Sequence, residues 1–390
     1  MSVSRPKNAP FFSLTVLTFI LAAGLLLGPA CSPKSDGWKG RIVEEDGIVV
    51  VKNPNAPLYG PEVLSLEEDL TIGGESSGDI AFATISSITV AGDGTIFVLD
   101  GKDKNIKAFD RDGGRIGTFG RPGQGPGELE MPRTIYSTER DELAVVDMSP
   151  KLVFFESSGE YIRTLSASSL MLMDARPDSE GNLFVFLIIY EETDGRYELR
   201  KVDGEFKDIL VYESSPTQNS ARDGFDPIFP ILRWDLLSGD RLVCAHAVKF
   251  EFRIYDADGR LARKIQMNPE PVPVAKEDID ERTQGAPPGI LENMKIPRHY
   301  PSFRYFVTDD EDRIWVLSWE RPPGRKGYYY DVFDPEGRYI VRTVLPVIQP
   351  LIRKGRLYAA EEDEAGYPLL KRYEIRWDYN RELHPGRSGF

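Results

Sequence analysis

A four-part unit recurs along this sequence. It opens with a short apolar stretch and passes through an Asp/Gly-rich turn into a strand of the type IFVLD. A third strand ends in aromatic-Asp, and a D-x-x-G turn leads to a fourth. The clearest copy runs from Ile85 to Gly120, ISSITVAGDGTIFVLDGKDKNIKAFDRDGGRIGTFG. Further copies run from Arg133 to Leu165, Leu170 to about Tyr212, Ile231 to Ile265 and Phe303 to Val344, and a partial sixth from Pro350 to Trp377. Equivalent second-strand residues are Ile96, Leu143, Leu183, Leu242, Ile314 and Leu357, at a mean spacing of about 52 residues.

The turns between the third and fourth strands align as Phe109-Asp110-Arg111-Asp112-Gly113, Phe155-Glu156-Ser157-Ser158-Gly159, Tyr255-Asp256-Ala257-Asp258-Gly259 and Phe333-Asp334-Pro335-Glu336-Gly337. The Gly supplies a positive φ and the Asp bonds its own turn, so these acids read as hairpin devices. Four-stranded units repeated six times point to radial closure, which leaves few sheet edges exposed. The expected fold is all-β, a six-bladed β-propeller of four-stranded antiparallel blades spanning residues 40–390. The sixth repeat lacks a clear fourth strand. The stretches Gly47–Pro54 and Leu66–Gly74 read as strands, the latter like the outer strand that ends GTFG, and the N-terminal strands are expected to close the ring as one domain.

The first thirty residues carry no repeat. Arg5 and Lys7 precede an uncharged apolar run from Phe11 to about Leu27, then Gly28-Pro29-Ala30 and Cys31. A run of this length ending in small residues reads as a signal peptide, 1–30, rather than a spanning helix. Cys31 directly after it resembles a bacterial lipobox, which implies lipidation of that thiol, a tether over 31–39 and a lipid-anchored place in the bacterial cell envelope. Ordinary cleavage with an incidental Cys is the alternative.

Composition removes several classes. The 390 residues carry 48 Lys+Arg against 62 Asp+Glu, a formal net charge of −14, which argues against a nucleic-acid partner. Two Cys and three His do not suit a disulfide framework, a cysteine zinc site or a multi-histidine centre. Cys244, in RLVCAHA, reads as a small hydrophobe in a strand. No cofactor or metal is expected.

The segment GTIFVLDGKDKNIKAFDRDGGRIGTFGRPGQGPGELEMP, Gly94–Pro132, resembles an NHL-type repeat. It is similar to the six-bladed β-propeller lipoproteins of bacteria, in which a GxGPGE loop, here Gly123–Glu128, joins two blades. The resemblance implies the fold and an envelope location, and little chemistry. That loop has no following Lys-Ser/Thr and precedes a strand, so it reads as a blade-linking turn rather than a phosphate cradle.

Propellers bind at the mouth of the central channel, where the inner strands begin. The aligned repeats place Ser86 and Ser87, Arg133 and Thr134, Met173 and Asp174, Arg233 and Trp234, Arg304 and Tyr305, and Gln349 there. Arginine at three such positions points to an anionic ligand, held by Arg133, Arg233 and Arg304, with Trp234 and Tyr305 stacking on it. The competing reading pairs these arginines with blade acids such as Asp174. One insertion, 268–301, breaks the blade rhythm. A short helix around Lys276–Thr283 is expected in it, and the segment folds over the mouth with the polar loop Ser214–Asp226.

No nucleophile elbow or aligned calcium set is evident, and His246, His299 and His384 are poorly placed for a metal lyase. The expected function is therefore a ligand- or protein-binding module acting through the mouth and its loops. The partner would be an anionic small molecule, a glycan or an envelope protein. The alternative is a propeller hydrolase or lyase acting on a sugar or peptide-derived substrate.

Overall fold

The computed structural model describes residues 37–379 except 76–77, 79–80, 168–170, 192–193, 219–222 and 325. The leader, Cys31, residues 31–36 of the tether and His384 lie outside the described residues. The described residues form one compact unit.

The chain begins with a hairpin, β1 (Arg41–Glu45) and β2 (Ile48–Lys52), followed by β3 (Leu64–Gly73). Blade one is β4 (Ile85–Val90), β5 (Ile96–Asp100), β6 (Asn105–Phe109) and β7 (Arg115–Phe119). A two-stranded linker, β8 (Arg121–Pro122) and β9 (Glu128–Leu129), leads to blade two, which is β10 (Pro132–Ser137), β11 (Glu142–Asp147), β12 (Lys151–Glu156) and β13 (Tyr161–Ser166). Blade three is β14 (Met171–Pro177), β15 (Leu183–Glu191), β16 (Asp194–Val202) and β17 (Asp208–Pro216). Blade four is β18 (Leu232–Leu237), β19 (Arg241–His246), β20 (Glu251–Tyr255) and β21 (Leu261–Gln266). Helices α1 (Lys276–Arg282) and α2 (Pro288–Glu292) precede blade five, which is β22 (Tyr305–Thr308), β23 (Ile314–Leu317), β24 (Tyr328–Phe333) and β25 (Tyr339–Leu345). Blade six takes β26 (Leu351–Arg353), β27 (Arg356–Glu362) and β28 (Pro368–Trp377) from the end of the chain and β3 from its start. The fold is a six-bladed β-propeller.

Burial follows position within a blade. All five residues of β5 are buried, because a second strand has neighbouring blades on both faces. The outer strand β7 has no buried residue, only exposed and half-buried ones. Six apolar clusters fill the six spaces between neighbouring blades.

Ring closure uses the N-terminal strand predicted from the sequence, with one refinement. Only β3 enters blade six, where Leu70 faces Arg372 and Ile72 faces Leu370 in antiparallel register. The β1–β2 hairpin instead extends the outer edge of blade four, with β2 running parallel to β21. Val50 and Val51 are fully buried there. Between the two sites the chain crosses blade five. Asn53 donates to Gly337 O at 2.9 Å and accepts from Tyr339 N at 2.8 Å. Leu58 N and Tyr59 N donate to Tyr339 O and Ile340 O. The N-terminal segment thus straps three blades, not one.

The repeated aspartate at the end of the second strand has a structural task. Asp147 is fully buried and accepts from the backbone of Glu130 (2.7 Å), Met131 (2.9 Å) and Ser149 (2.9 Å). Asp100 does the same for Ala83 and Thr84 and also receives Lys107 Nζ at 2.8 Å. Each ties the connection entering its blade to the blade's centre. The hairpin acids behave as local turn acceptors: Asp110 accepts from Asp112 N and Gly114 N, while Gly113 takes φ +88°. In the loop between blades one and two, Gly125 N and Arg121 Nε donate to Glu128. Gly123 has φ +147°, and an added Cβ would meet the Glu128 carboxylate.

Burial raises the pKa of Asp147, but the Ser149 hydroxyl and the three backbone N–H donors outweigh it and hold the carboxyl below its usual value. A depressed folded pKa stabilises the fold above the unfolded value of about 4, and that stability is lost as pH falls through the folded value. Asp147→Ala is expected to cost about 3 kcal/mol in urea unfolding at pH 7, and the gap to the parent chain should narrow below about pH 4.

Candidate functional site

Strand direction alternates within a blade. The start of the first strand, the loop between the second and third, and the end of the fourth therefore share one edge. On that edge the inner strands open the channel mouth. The insertion and the loop preceding blade four also lie there.

Inside the channel a polar belt links the blades. Ser87 Oγ and Thr89 Oγ1 of blade one accept from Ile135 N and Ser137 N of blade two. The Tyr136 hydroxyl sits 3.0 Å from both oxygens of Asp174 in blade three. Arg176 of blade three bonds Asp235 of blade four, its guanidinium 4.5 Å from the Tyr136 ring and 4.9 Å from the Trp234 ring. Asp235 accepts from Thr308 N of blade five at 2.8 Å, and Arg353 of blade six reaches Thr308 O at 3.3 Å. Lys354 returns to Gly92 O of blade one.

The belt sorts the residues expected at the mouth. Asp174 belongs to it: burial pushes its carboxyl pKa up, while Arg176 and the Tyr136 hydroxyl pull it down. Trp234 is a correction. It is 8% exposed and packs with Phe184, Tyr212 and Cys244 between blades three and four, so it offers no open ring face to a ligand. Strand alternation explains this: Arg233 and Asp235 point one way, into the channel, and Trp234 the other.

Arg133 and Arg233 remain at the mouth. Arg133 is exposed, with Nη1 3.5 Å from Met173 O and 3.7 Å from Met148 Sδ. Arg233 is half-buried, its guanidinium 5.3 Å from the Tyr305 ring. Burial lowers the pKa of Arg233; Tyr305 and Tyr197 offset part of this, and the like charge of Arg133 adds to the lowering. Neither has a carboxylate within ion-pair distance among the described residues. Tyr305 is half-buried beside the belt; burial raises its pKa, helped by Asp235. Arg304, expected beside them, turns instead to Trp319 and Tyr328, at 5.4 Å and 5.9 Å from their ring centroids. The structure thus brings together Arg133, Arg233, Tyr305 and Asp174, and sets Trp234 and Arg304 elsewhere.

Alternation from Asp174 and Arg233 would have exposed their neighbours Arg176 and Asp235. Arg282 at the end of α1 and the loop residues Trp319 and Arg321 carried no such signal.

The insertion is an ordered cap. Ile279 of α1, Tyr300 and Ile228 form a small core with Val272, Val274, Met294 and Trp319. Lys295 N donates to Phe225 O, so the loop before blade four joins it. Below lies a cleft of about 680 Å³ between blades four and five, lined by Phe250, Glu251, Tyr300, Trp319, Asp331 and Arg342 among others. His299 is exposed on the cap. Cys244 is buried, which pushes its thiol pKa up. Among the described residues no three His, Cys, Asp or Glu side chains group as metal ligands.

The belt and the mouth separate by mutation. Arg176→Ala leaves Asp235 buried without its partner and is expected to cost about 3–5 kcal/mol. Arg233→Gln removes no ion pair and should cost under about 1 kcal/mol. Chemical unfolding of both variants checks the contrast.

Residues 72–226 match the family DUF5128, described as a six-bladed β-propeller. No curated protein sequence matches the chain. A Bacteroides fragilis protein described as exported is 11% identical with a TM-score of 0.54, covering 84% of this chain and 99% of that one. A Bacteroides vulgatus member of the DUF4221 family is 12% identical at TM-score 0.49, covering 81% and 99%. Virginiamycin B lyase from Staphylococcus aureus is 9% identical at TM-score 0.41, covering 80% and 99%. At these identities the likeness concerns the fold alone. By its architecture around the whole ring this chain is a six-bladed β-propeller, and over residues 72–226 its sequence is similar to the family DUF5128.

Proposed function

We propose that this protein is an exported binding module that takes an anionic ligand at the mouth of its channel. One observation carries the reading. Arg133 and Arg233 stand at the mouth with like charges and no carboxylate partner among the described residues, although acids outnumber basic residues 62 to 48 along the chain. Such a pair is stabilised when an anion arrives, and a carboxylate matches the fork of a guanidinium. Tyr305 adds a half-buried ring beside Arg233 for the ligand's body. The belt beneath holds these side chains on strands rather than mobile loops, so little ordering is lost on binding. A sugar acid of a glycan, or the terminal carboxylate of a small molecule, has the required chemistry.

Galacturonate and neutral galactose serve as probes in calorimetric titration of the full chain. Galacturonate should bind, weaken with added salt, and lose about tenfold or more in affinity in the Arg133→Gln/Arg233→Gln variant. Equal binding of both sugars, or unchanged binding in the variant, contradicts the reading.

The leader and Cys31 support export and anchoring by a lipid, as does the likeness to a Bacteroides protein described as exported. Cys31→Ser is expected to shift the protein from the membrane fraction to the soluble fraction of bacterial cells, since one thiol carries the anchor. A parent chain already in the soluble fraction would assign the Cys to ordinary cleavage, and retention of the variant in the membrane fraction would contradict a lipid anchor on this thiol.

A further inference from the structure

A second set of guanidinium groups gathers at the rim, apart from Arg133 and Arg233. Arg282 ends α1 of the cap, and Arg304 directly precedes β22. Arg321 lies in the loop between β23 and β24. Two rings hold them. Arg282 and Arg304 lie 5.1 Å and 5.4 Å from the centroid of Trp319, and Arg304 and Arg321 lie 5.9 Å and 4.7 Å from that of Tyr328. The indole is itself fixed, because Tyr300 stacks on it at 4.3 Å with 5° between the planes. Tyr300 in turn donates to Asp278 of α1 at 2.7 Å, and Ile279 anchors that helix in the small core.

None of the three has a carboxylate within ion-pair distance among the described residues. Other arginines of blades four to six do: Arg253 with Glu213, Arg313 with Asp309, Arg338 with Asp334 and Arg372 with Asp69. Asp278 acts on Arg304 through its charge only, and its carboxylate accepts from Tyr300. Burial, then the charges of Arg282 and Arg321, lower the pKa of Arg304. Three cations therefore converge with their repulsion only partly offset by Asp278. A guanidinium resting on a ring keeps its edge N–H donors free for a ligand.

We propose that Arg282, Arg304 and Arg321 form an oxyanion site for the tetrahedral phosphate or sulfate group of a ligand reaching the rim. The three donors come from a helix, a strand start and a loop. They approach from different directions and suit an anion with three or more outward oxygens. A planar carboxylate is satisfied by one guanidinium fork. Arg282 and Arg321 are exposed, which leaves the site open, and Arg304 is half-buried at its base. The site uses none of the mouth arginines and stands or falls separately from them.

The test is calorimetric titration of the full chain with glucose 1-phosphate, inorganic sulfate and galacturonate at constant ionic strength. Glucose 1-phosphate and sulfate should bind, and Arg304→Gln should weaken both by about tenfold or more. Arg304→Lys should restore only part of the loss. Arg115→Gln, on the outer strand of blade one and in neither site, should leave both unchanged. If Arg304→Gln does not fold, the surface pair Arg282→Gln/Arg321→Gln makes the same test. No binding of either tetrahedral anion, binding unchanged in these variants, or galacturonate competing for the site with equal affinity each overturns the assignment.

Discussion

Everything in this molecule depends on β3 pairing with β28. The contact joins residues about 300 positions apart, as in the 3.0 Å ion pair of Lys371 with Glu68 and the 2.8 Å pair of Arg372 with Asp69. Without it blade six is a three-stranded sheet with an open edge, and the wall between the last and first blades loses Leu70 and Ile72. Loop closure over such a length carries an entropic cost that grows only slowly with length, so a ring of this size is affordable once β3 docks. The strap from β2 across blade five helps to set where β3 arrives.

Closure also creates the channel. The belt of Tyr136, Asp174, Arg176, Asp235, Thr308 and Arg353 joins blades that are not continuous in sequence, with Arg176 and Asp235 as its ion pair. Burying such groups is favourable only when they are paired. The same logic distinguishes the rest. Arg176 is consumed by the architecture, whereas Arg133 and Arg233 are left at the mouth with their charge unspent, as Arg282, Arg304 and Arg321 are at the rim. In an acidic protein, local cationic surfaces stand out as places where a ligand completes the electrostatics.

Much of the fold was legible because period-two alternation and Asp/Gly turns report local geometry directly. The strands of all six repeats, the fourth strand of blade six at Leu66–Gly74 and the helix near Lys276 follow from local pattern. The β1–β2 hairpin did not, because an apolar run such as IVVV states that a strand is buried and not which blade buries it. The site was less legible. Asp174 lies in the channel belt, Tyr305 beside it and Arg133 and Arg233 at the mouth, all on strands whose starts could be aligned. Trp234 was misread because one residue of strand register exchanges channel for core. Arg304 turned away because Trp319 and Tyr328, on neighbouring chain segments, offered ring faces that no periodicity encodes.

Native-state hydrogen exchange of the full chain tests the central claim, that β3 is an integral strand of the ring. The amides of β3 that pair with β28 should exchange only through global unfolding, with an opening free energy within about 1 kcal/mol of the central amides of β5. Exchange of β3 by a local opening several kcal/mol cheaper, with β5 still protected, would show that the ring stands without it and would contradict this account.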